Sequence, residues 1–128
     1  MRRPPVHSPT GCELITYSNA GHPPPLVVGA DGAVRLLDAG ASVFVGAASP
    51  RADCTDSLCA GDALLLYTDG LVEKRGRPLD EGLRLLMEAP ARWSGGPAAL
   101  CDLVVDTLLG DGGSDDDVAV LAFKLTPA

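Results

Sequence analysis

Aspartates at two places in this sequence have the setting of metal ligands. Asp69 follows the apolar run Ala63–Thr68 and is followed at once by Gly70, so a predicted buried strand ends in a carboxylate and a flexible turn residue. A second acidic group, Asp115–Asp117, stands directly before the apolar run Val118–Leu125. A carboxylate at the end of a buried strand is costly unless a metal ion or strong hydrogen-bond donors accompany it.

The two groups come together if the apolar runs form neighbouring antiparallel strands. Asp69 and one of the three later aspartates would then face each other, and a divalent cation would relieve their repulsion. Ligation by oxygen alone selects Mg²⁺, Mn²⁺ or Ca²⁺ over zinc or copper. An alternative interpretation treats Asp115–Asp117 as a solvated loop and Thr68–Gly70 as ordinary turn chemistry.

The composition indicates one globular domain and argues against nucleic-acid and membrane functions. The chain has 128 residues, of which 46% are hydrophobic and 21% charged, and this suffices for a packed core. A net charge of -7 leaves no basic patch for a phosphate backbone. No apolar run reaches the roughly 20 residues that cross a bilayer. The four cysteines lack the spacing of a zinc site and predict free thiols, which favours a cytoplasmic location.

Periodicity and turn residues predict an α+β fold, with antiparallel strands, then two helices, then a last strand. Residues 1–10 are predicted to be an extended tail, and residues 11–126 a single domain. The predicted strands are Cys12–Ser18, Leu26–Gly29, Ala33–Leu37, Ala52–Leu58, Ala63–Thr68 and Val118–Leu125, and Val43–Gly46 is predicted to be a short strand or a turn. The predicted helical segments are a turn at Leu71–Glu73, a helix at Glu81–Glu88 capped by Asp80, and a helix at Pro97–Leu109 stopped by Gly110.

Three segments in this order resemble the bacterial PPM-type, metal-dependent protein serine/threonine phosphatases. They are Asn19–Leu26, Leu65–Glu73 and Asp115–Leu121. The resemblance is to the branch that contains stage II sporulation protein E and the sigma-B regulators, and Arg77–Leu86 is similar to a helix of that branch. The resemblance extends from about Gly11 to Leu125. It implies that residues 11–126 are a partial phosphatase domain, the C-terminal portion of an α-β-β-α sandwich.

The same resemblance implies a signalling hydrolase that acts on phosphoserine and phosphothreonine proteins with water activated by two Mn²⁺ or Mg²⁺ ions. Asp69 and Asp116 match the metal-ligating aspartates, and no other catalytic residue is implied. Further residues at or near the site by this resemblance are Gly70, Asp117, Asn19, His22 and Glu73. Alternative interpretations have His22 packing on the prolines that follow it, and Glu73 lying on a helix surface.

One part of the family's site has no counterpart in this sequence. The family carries an upstream aspartate, in a Gly-Asp-x-x-Gly-His-Gly segment, that bridges the two metals. The chain therefore resembles the C-terminal half of a phosphatase domain, and we expect it to bind a cation weakly. An incomplete sandwich exposes apolar surface and strand edges, so we expect a homodimer, a partner that covers the sheet, or marginal stability. A phosphoprotein-binding module without turnover and a gene fragment from a sigma-factor regulatory pathway stay open as alternatives.

Overall fold

The computed structural model describes residues 12–17, 23–37, 54–110, 112 and 117–126, and these contain six strands and three α-helices. The strands are β1 (Cys12–Tyr17), β2 (Leu26–Val28), β3 (Val34–Leu36), β4 (Cys54–Cys59), β5 (Ala63–Tyr67) and β6 (Val120–Lys124). The helices are α1 (Asp69–Val72), α2 (Leu79–Glu88) and α3 (Pro97–Leu109), with a 3₁₀ helix at Ala89–Arg92. Predictions for residues 1–10 and for a strand at Val43–Gly46 concern residues outside these ranges.

Two antiparallel sheets and a helical layer make up the described fold. The order β3-β2-β5-β6 forms a four-stranded sheet, and β1 pairs with β4 in a separate ribbon. One face of the four-stranded sheet packs on the helices through buried side chains that include Leu26, Leu65, Leu71, Leu86, Leu100 and Val104. The opposite face meets the ribbon around Val27, Leu37 and Leu58. The predicted α+β class with antiparallel strands is therefore confirmed.

The strand predictions hold because apolar residues alternate or cluster where both faces are covered. All three residues of β2 are buried, since helices cover one face of the sheet and the ribbon covers the other. The Asp31–Gly32 turn joins β2 to β3 as predicted, with the Gly29 N–H donating to the Ala33 carbonyl at 2.7 Å. The described part of β4 begins at Cys54, and the predicted start at Ala52 lies outside the described residues.

The helix predictions are confirmed in position, with one error at a helix start. Helix α2 begins at Leu79, so the prediction that Asp80 caps it is wrong. Pro78 is the N-cap in an extended conformation, and Asp80 lies in the first turn, where its charge suits the positive end of the helix dipole. Helix α3 spans Pro97–Leu109 and stops at Gly110, as predicted. None of the helices in the described part of the chain has the length and hydropathy to cross a membrane.

Two of the cysteines are bonded to each other. Cys12 and Cys59 form a disulfide, so the prediction of free thiols is wrong for this pair. The register of β1 against β4 places the two residues directly opposite each other, although 47 positions separate them in the sequence. Cys101 is a free thiol. Because disulfides are rare in reducing compartments, the cysteines no longer support a cytoplasmic location.

Gly82 allows α2 to lie directly on α1, and this contact yields a stability prediction. A Cβ atom at Gly82 would stand 1.8 Å from the carbonyl oxygen of Val72, so an added methyl group must displace backbone. We expect Gly82→Ala to lower the free energy of unfolding by about 1–3 kcal/mol, measured by urea denaturation. Gly96→Ala is the control, because no atom lies within 4 Å of a Cβ at that position. Equal losses in the two variants would contradict the prediction.

Candidate metal centre

One edge of the four-stranded sheet collects the segments on which the predicted site depends. Tyr67 at the end of β5 and Val120 at the start of β6 are antiparallel partners. One residue further on, the Thr68 N–H donates to the Ala119 carbonyl at 3.1 Å. Strand β2 runs antiparallel to β5 on its other side, so the chain that enters β2 arrives at the same end of the sheet. We call this end, formed by residues 23–25, 68–70 and 117–119, the aspartate edge.

Thr68 fastens the two acidic segments together. Its side-chain oxygen accepts a hydrogen bond from the Ala119 N–H at 3.0 Å, and its hydroxyl donates to the Asp117 carbonyl at 3.4 Å. The chain that follows the three aspartates is thereby held against the strand end that carries Asp69. The sequence predicts a shared site only if β5 and β6 are antiparallel neighbours, and their antiparallel pairing is confirmed.

Asp69 is exposed, although the strand before it is buried. It is the first residue of α1, and its carbonyl accepts a hydrogen bond from the Glu73 N–H at 2.9 Å. The other residues of α1, Gly70–Val72, are buried and anchor the turn. Water therefore solvates the Asp69 carboxylate, and burial does not force it to have a partner. The prediction that Asp69 is a buried charge in need of a partner is wrong. The prediction that Asp69 lies at the end of the strand is right.

The other predicted site residues fall into two groups. Asp117 and Glu73 are exposed, and Asp117 lies at the aspartate edge. Asp116, Asn19 and His22 lie outside the described residues. Within the described ranges, no three His, Cys, Asp or Glu side chains gather closely enough to hold a metal ion. The donors that the edge does offer are carboxylate oxygens, which suit Mg²⁺ or Mn²⁺ in kind but are too few to enclose an ion.

Tyr67 is a structural member of this edge that sequence reasoning missed. Its side chain is buried, and its hydroxyl donates to the Pro24 carbonyl at 2.5 Å. The bond fixes the proline segment, which directly follows Asn19 and His22 in the sequence, beside the end of β5. Burial raises the pKa of Tyr67, and the negative charge of Asp69 raises it further. The available signal was a tyrosine in an apolar strand, since a buried hydroxyl needs an acceptor.

Cys101 is a free thiol that is unsuited to nucleophilic catalysis. Cys101 lies half-buried on α3, and burial raises the pKa of its thiol, an effect that Asp102 reinforces. A thiol with a raised pKa stays protonated at neutral pH and is a poor nucleophile.

Solved structures with a similar fold include phosphatase domains. The RsbU and RsbW domains of Rv1364c from Mycobacterium tuberculosis match with a TM-score of 0.77 and 37% identity, over 90% of this chain and 34% of that one. The PP2C phosphatase domain of SpoIIE from Bacillus subtilis, with a fragment of its regulatory domain, matches at 0.70 and 20% identity, over 88% and 34%. A manganese-presoaked SpoIIE phosphatase domain from the same organism matches at 0.67 and 18% identity, over 94% and 54%. The fold is thus that of the PP2C phosphatase domains.

The family assignment follows from the sequence itself. The family model of stage II sporulation protein E (SpoIIE) matches residues 9–126, and the chain belongs to this family. The chain spans between 34% and 54% of the length of the three solved structures described above. The resemblance to this branch of phosphatases, and to the C-terminal portion of the domain, is confirmed.

The raised pKa of Tyr67 predicts that the stability of the fold depends on pH. A free tyrosine has a pKa of about 10, and the folded chain keeps this proton at pH values where the unfolded chain releases it. The contribution to stability is therefore complete below pH about 10 and is lost as the pH rises, by at most about 1.4 kcal/mol per pH unit. We expect the free energy of unfolding of Tyr67→Phe, measured by urea denaturation, to lack this part of the decrease at alkaline pH. Tyr17→Phe is the control, and an identical alkaline loss in Tyr67→Phe and the unaltered chain would refute the assignment.

Proposed function

We propose that this chain provides one side of the metal site of a protein serine/threonine phosphatase that hydrolyses phosphomonoesters. The observation that carries the proposal is the pairing of β5 with β6, which sets Asp69 and Asp117, the last of the three aspartates, at the same end of the sheet. Membership of the SpoIIE family supports the reaction class. The proposed substrate is a phosphoserine or phosphothreonine protein of a regulatory pathway.

Asp69 and Asp116 are the proposed ligands of a Mn²⁺ or Mg²⁺ ion. Such an ion, when bound, supplies an activated water and neutralises charge on the phosphoryl group. The buried turn Gly70–Val72 anchors Asp69, and Thr68 bonds to the backbone of Asp117 and Ala119, which directly follow Asp116 in the sequence. Asp117, Glu73 and the loop with Asn19 and His22 are proposed to lie around the ions without binding them directly.

Turnover by this chain requires ligands beyond those at the aspartate edge. Two aspartates leave most positions of a divalent cation open, because Mg²⁺ and Mn²⁺ prefer about six oxygen ligands. This shortage favours a second candidate function, in which the chain binds a phosphoprotein without hydrolysing it. Both candidates place the chain in the cytoplasm, where protein kinases supply phosphoproteins. The Cys12–Cys59 disulfide counts against that location.

An apolar face next to the aspartate edge supports the expectation of a covering chain. Leu66 of β5 and Leu121 of β6 are cross-strand partners, and Phe123 extends the row along β6. Leu121 and Phe123 are 54% and 50% exposed, and a shallow depression of about 170 Å³ lies beside them, between β5 and β6. Strand β6 ends the four-stranded sheet within the described residues, so its outer edge offers backbone hydrogen-bonding groups.

We propose that a second copy of this chain pairs with the edge of this apolar face. Two β6 strands related by a two-fold axis would pair antiparallel, the arrangement that every pairing in the described sheets already uses. The same operation sets the rows of Leu66, Leu121 and Phe123 next to each other on one face. It therefore pairs the edge hydrogen-bonding groups and buries the apolar side chains that meet along the shared edge.

Metal-dependent hydrolysis tests the proposed reaction. We expect p-nitrophenyl phosphate to be hydrolysed at a rate that requires Mn²⁺ and that falls at least about tenfold in Asp69→Asn, since metal-site changes typically have effects of this size. Asp80→Asn is the matched control, because Asp80 is an exposed aspartate of α2 that is not among the proposed site residues. Hydrolysis that is indifferent to Mn²⁺, or to Asp69→Asn, would refute the phosphatase proposal. Mn²⁺-dependent capture of a phosphoprotein without hydrolysis would favour the binding module.

Light scattering after gel filtration tests the proposed dimer. At low micromolar concentration we expect the mass of two chains, and the mass of one chain in Leu121→Asp, because a charge on the apolar face opposes its burial. Leu79→Asp is the control, since Leu79 is also exposed but lies on α2. A single-chain mass with a cooperative thermal transition in the unaltered protein would rule out the dimer. Dimers that persist in Leu121→Asp would place the interface elsewhere.

A further inference from the structure

The Cys12–Cys59 disulfide closes one end of the ribbon that β1 and β4 form. Cys12 is the first residue of β1 and Cys59 is the last residue of β4, and the antiparallel register makes them direct partners. Within the described residues β1 pairs with β4 alone, so its position depends on that single neighbour. The bond joins two strands that 47 positions of sequence otherwise leave free to separate.

The ribbon rests on the four-stranded sheet through a small apolar cluster. The buried members of this cluster are Val27, Leu37 and Leu58, and β1 contributes the partly buried Ile15. The cluster on the other face of the sheet, under the helices, is far larger. A two-stranded ribbon is marginally stable by itself, so packing alone holds β1 weakly.

Strand β4 is held to the sheet by bonds that do not involve β1. Arg35 of β3 donates to the carboxylate of Asp56 at 2.7 Å and to the carbonyl of Ser57 at 2.9 Å. At the end of β4 the chain turns directly into β5, and in this turn the Asp62 carboxylate accepts a hydrogen bond from the Cys59 N–H at 2.8 Å. Of the two strands of the ribbon, β1 therefore depends more on the disulfide.

A surface cleft gives solutes access to one of the two cysteines. The cleft has a volume of about 350 Å³, and Cys59 lies in its wall together with Arg35 and Asp62. Cys59 is half-buried, whereas Cys12 is only 8% exposed. A thiolate cleaves a disulfide by attacking one of its sulfurs, and access decides which one. The Cys59 Sγ is therefore the expected point of attack, with the Cys12 Sγ as the leaving group.

We propose that the Cys12–Cys59 disulfide is a reversible, redox-sensitive staple, whose reduction releases β1 while the four-stranded sheet and the helices stay folded. The reductant is a dithiol or a pair of thiols. A first thiolate forms a mixed disulfide with the Cys59 Sγ, and the Cys12 Sγ leaves as a thiolate. A second thiolate then displaces the Cys59 Sγ, so the reductant ends as a disulfide and two electrons pass to the protein. Each cysteine takes up one proton. A reversible bond of this kind can operate in a compartment that keeps most thiols reduced.

Two measurements on the full chain test this proposal. After equilibration with excess reduced glutathione, alkylation of the folded protein and mass spectrometry should show the disulfide lost, and excess oxidised glutathione should restore it. In the reduced chain we expect amide exchange in β1 to become at least about tenfold faster, and exchange in β5 and α3 to stay unchanged. Cys101→Ser is the control and should respond like the unaltered chain, because Cys101 is outside the bond. The double variant Cys12→Ser/Cys59→Ser should show fast exchange in β1 in both buffers.

Three results would overturn the inference. A disulfide that persists in the folded chain under excess reduced glutathione is a permanent staple. Reduction that leaves the exchange of β1 unchanged shows that the bond does not hold this strand. Reduction that accelerates exchange equally in β1, β5 and α3 shows that the bond stabilises the whole fold and releases no single strand. If the double variant does not fold, the comparison of the reduced with the oxidised unaltered chain decides between these results.

Discussion

The antiparallel pairing of β5 with β6 is the constraint on which the candidate site depends. It brings Thr68 and Ala119, 51 positions apart in the sequence, within one hydrogen bond of each other. Backbone bonds along five paired positions make the register rigid, and a slip of one residue would turn the buried side chains to the wrong face. Asp69 and Asp117 therefore lie at the same end of the sheet because of a strand register.

The helical layer gives this register its second support. The single turn of α1 is too short to be stable alone, and it persists because Gly70–Val72 are buried beneath α2 and α3. Gly82 permits the close approach of α2, and Arg77 ties the ends of α1 and α3. Exposed carboxylates thus stand on a buried, closely packed base. A base of this kind suits a metal site, since ligands held in advance lose little freedom on binding.

Patterns in the sequence predicted most elements because their causes are local. A continuous apolar run predicted β5, and the Asp31–Gly32 turn predicted the β2–β3 hairpin. The wrong predictions concern features that depend on residues distant in the sequence or on a single neighbouring residue. Pro78 moved the start of α2 and displaced Asp80 from the cap, while strand register paired Cys12 with Cys59. The position of Asp69 was predicted from the apolar strand before it and the glycine after it. Its exposure could not be predicted from a sequence pattern.

The sequence by itself determined the types of the strands and helices, the acidic character of the site and the family of the chain. These follow from side-chain period, turn chemistry and motif order, which act over a few residues. Only the tertiary structure decided which groups meet: Tyr67 bonds to a carbonyl 43 positions away, and Arg77 to one 31 positions away. Such partners are chosen by packing and register, because a buried donor takes the acceptor that the fold places within reach.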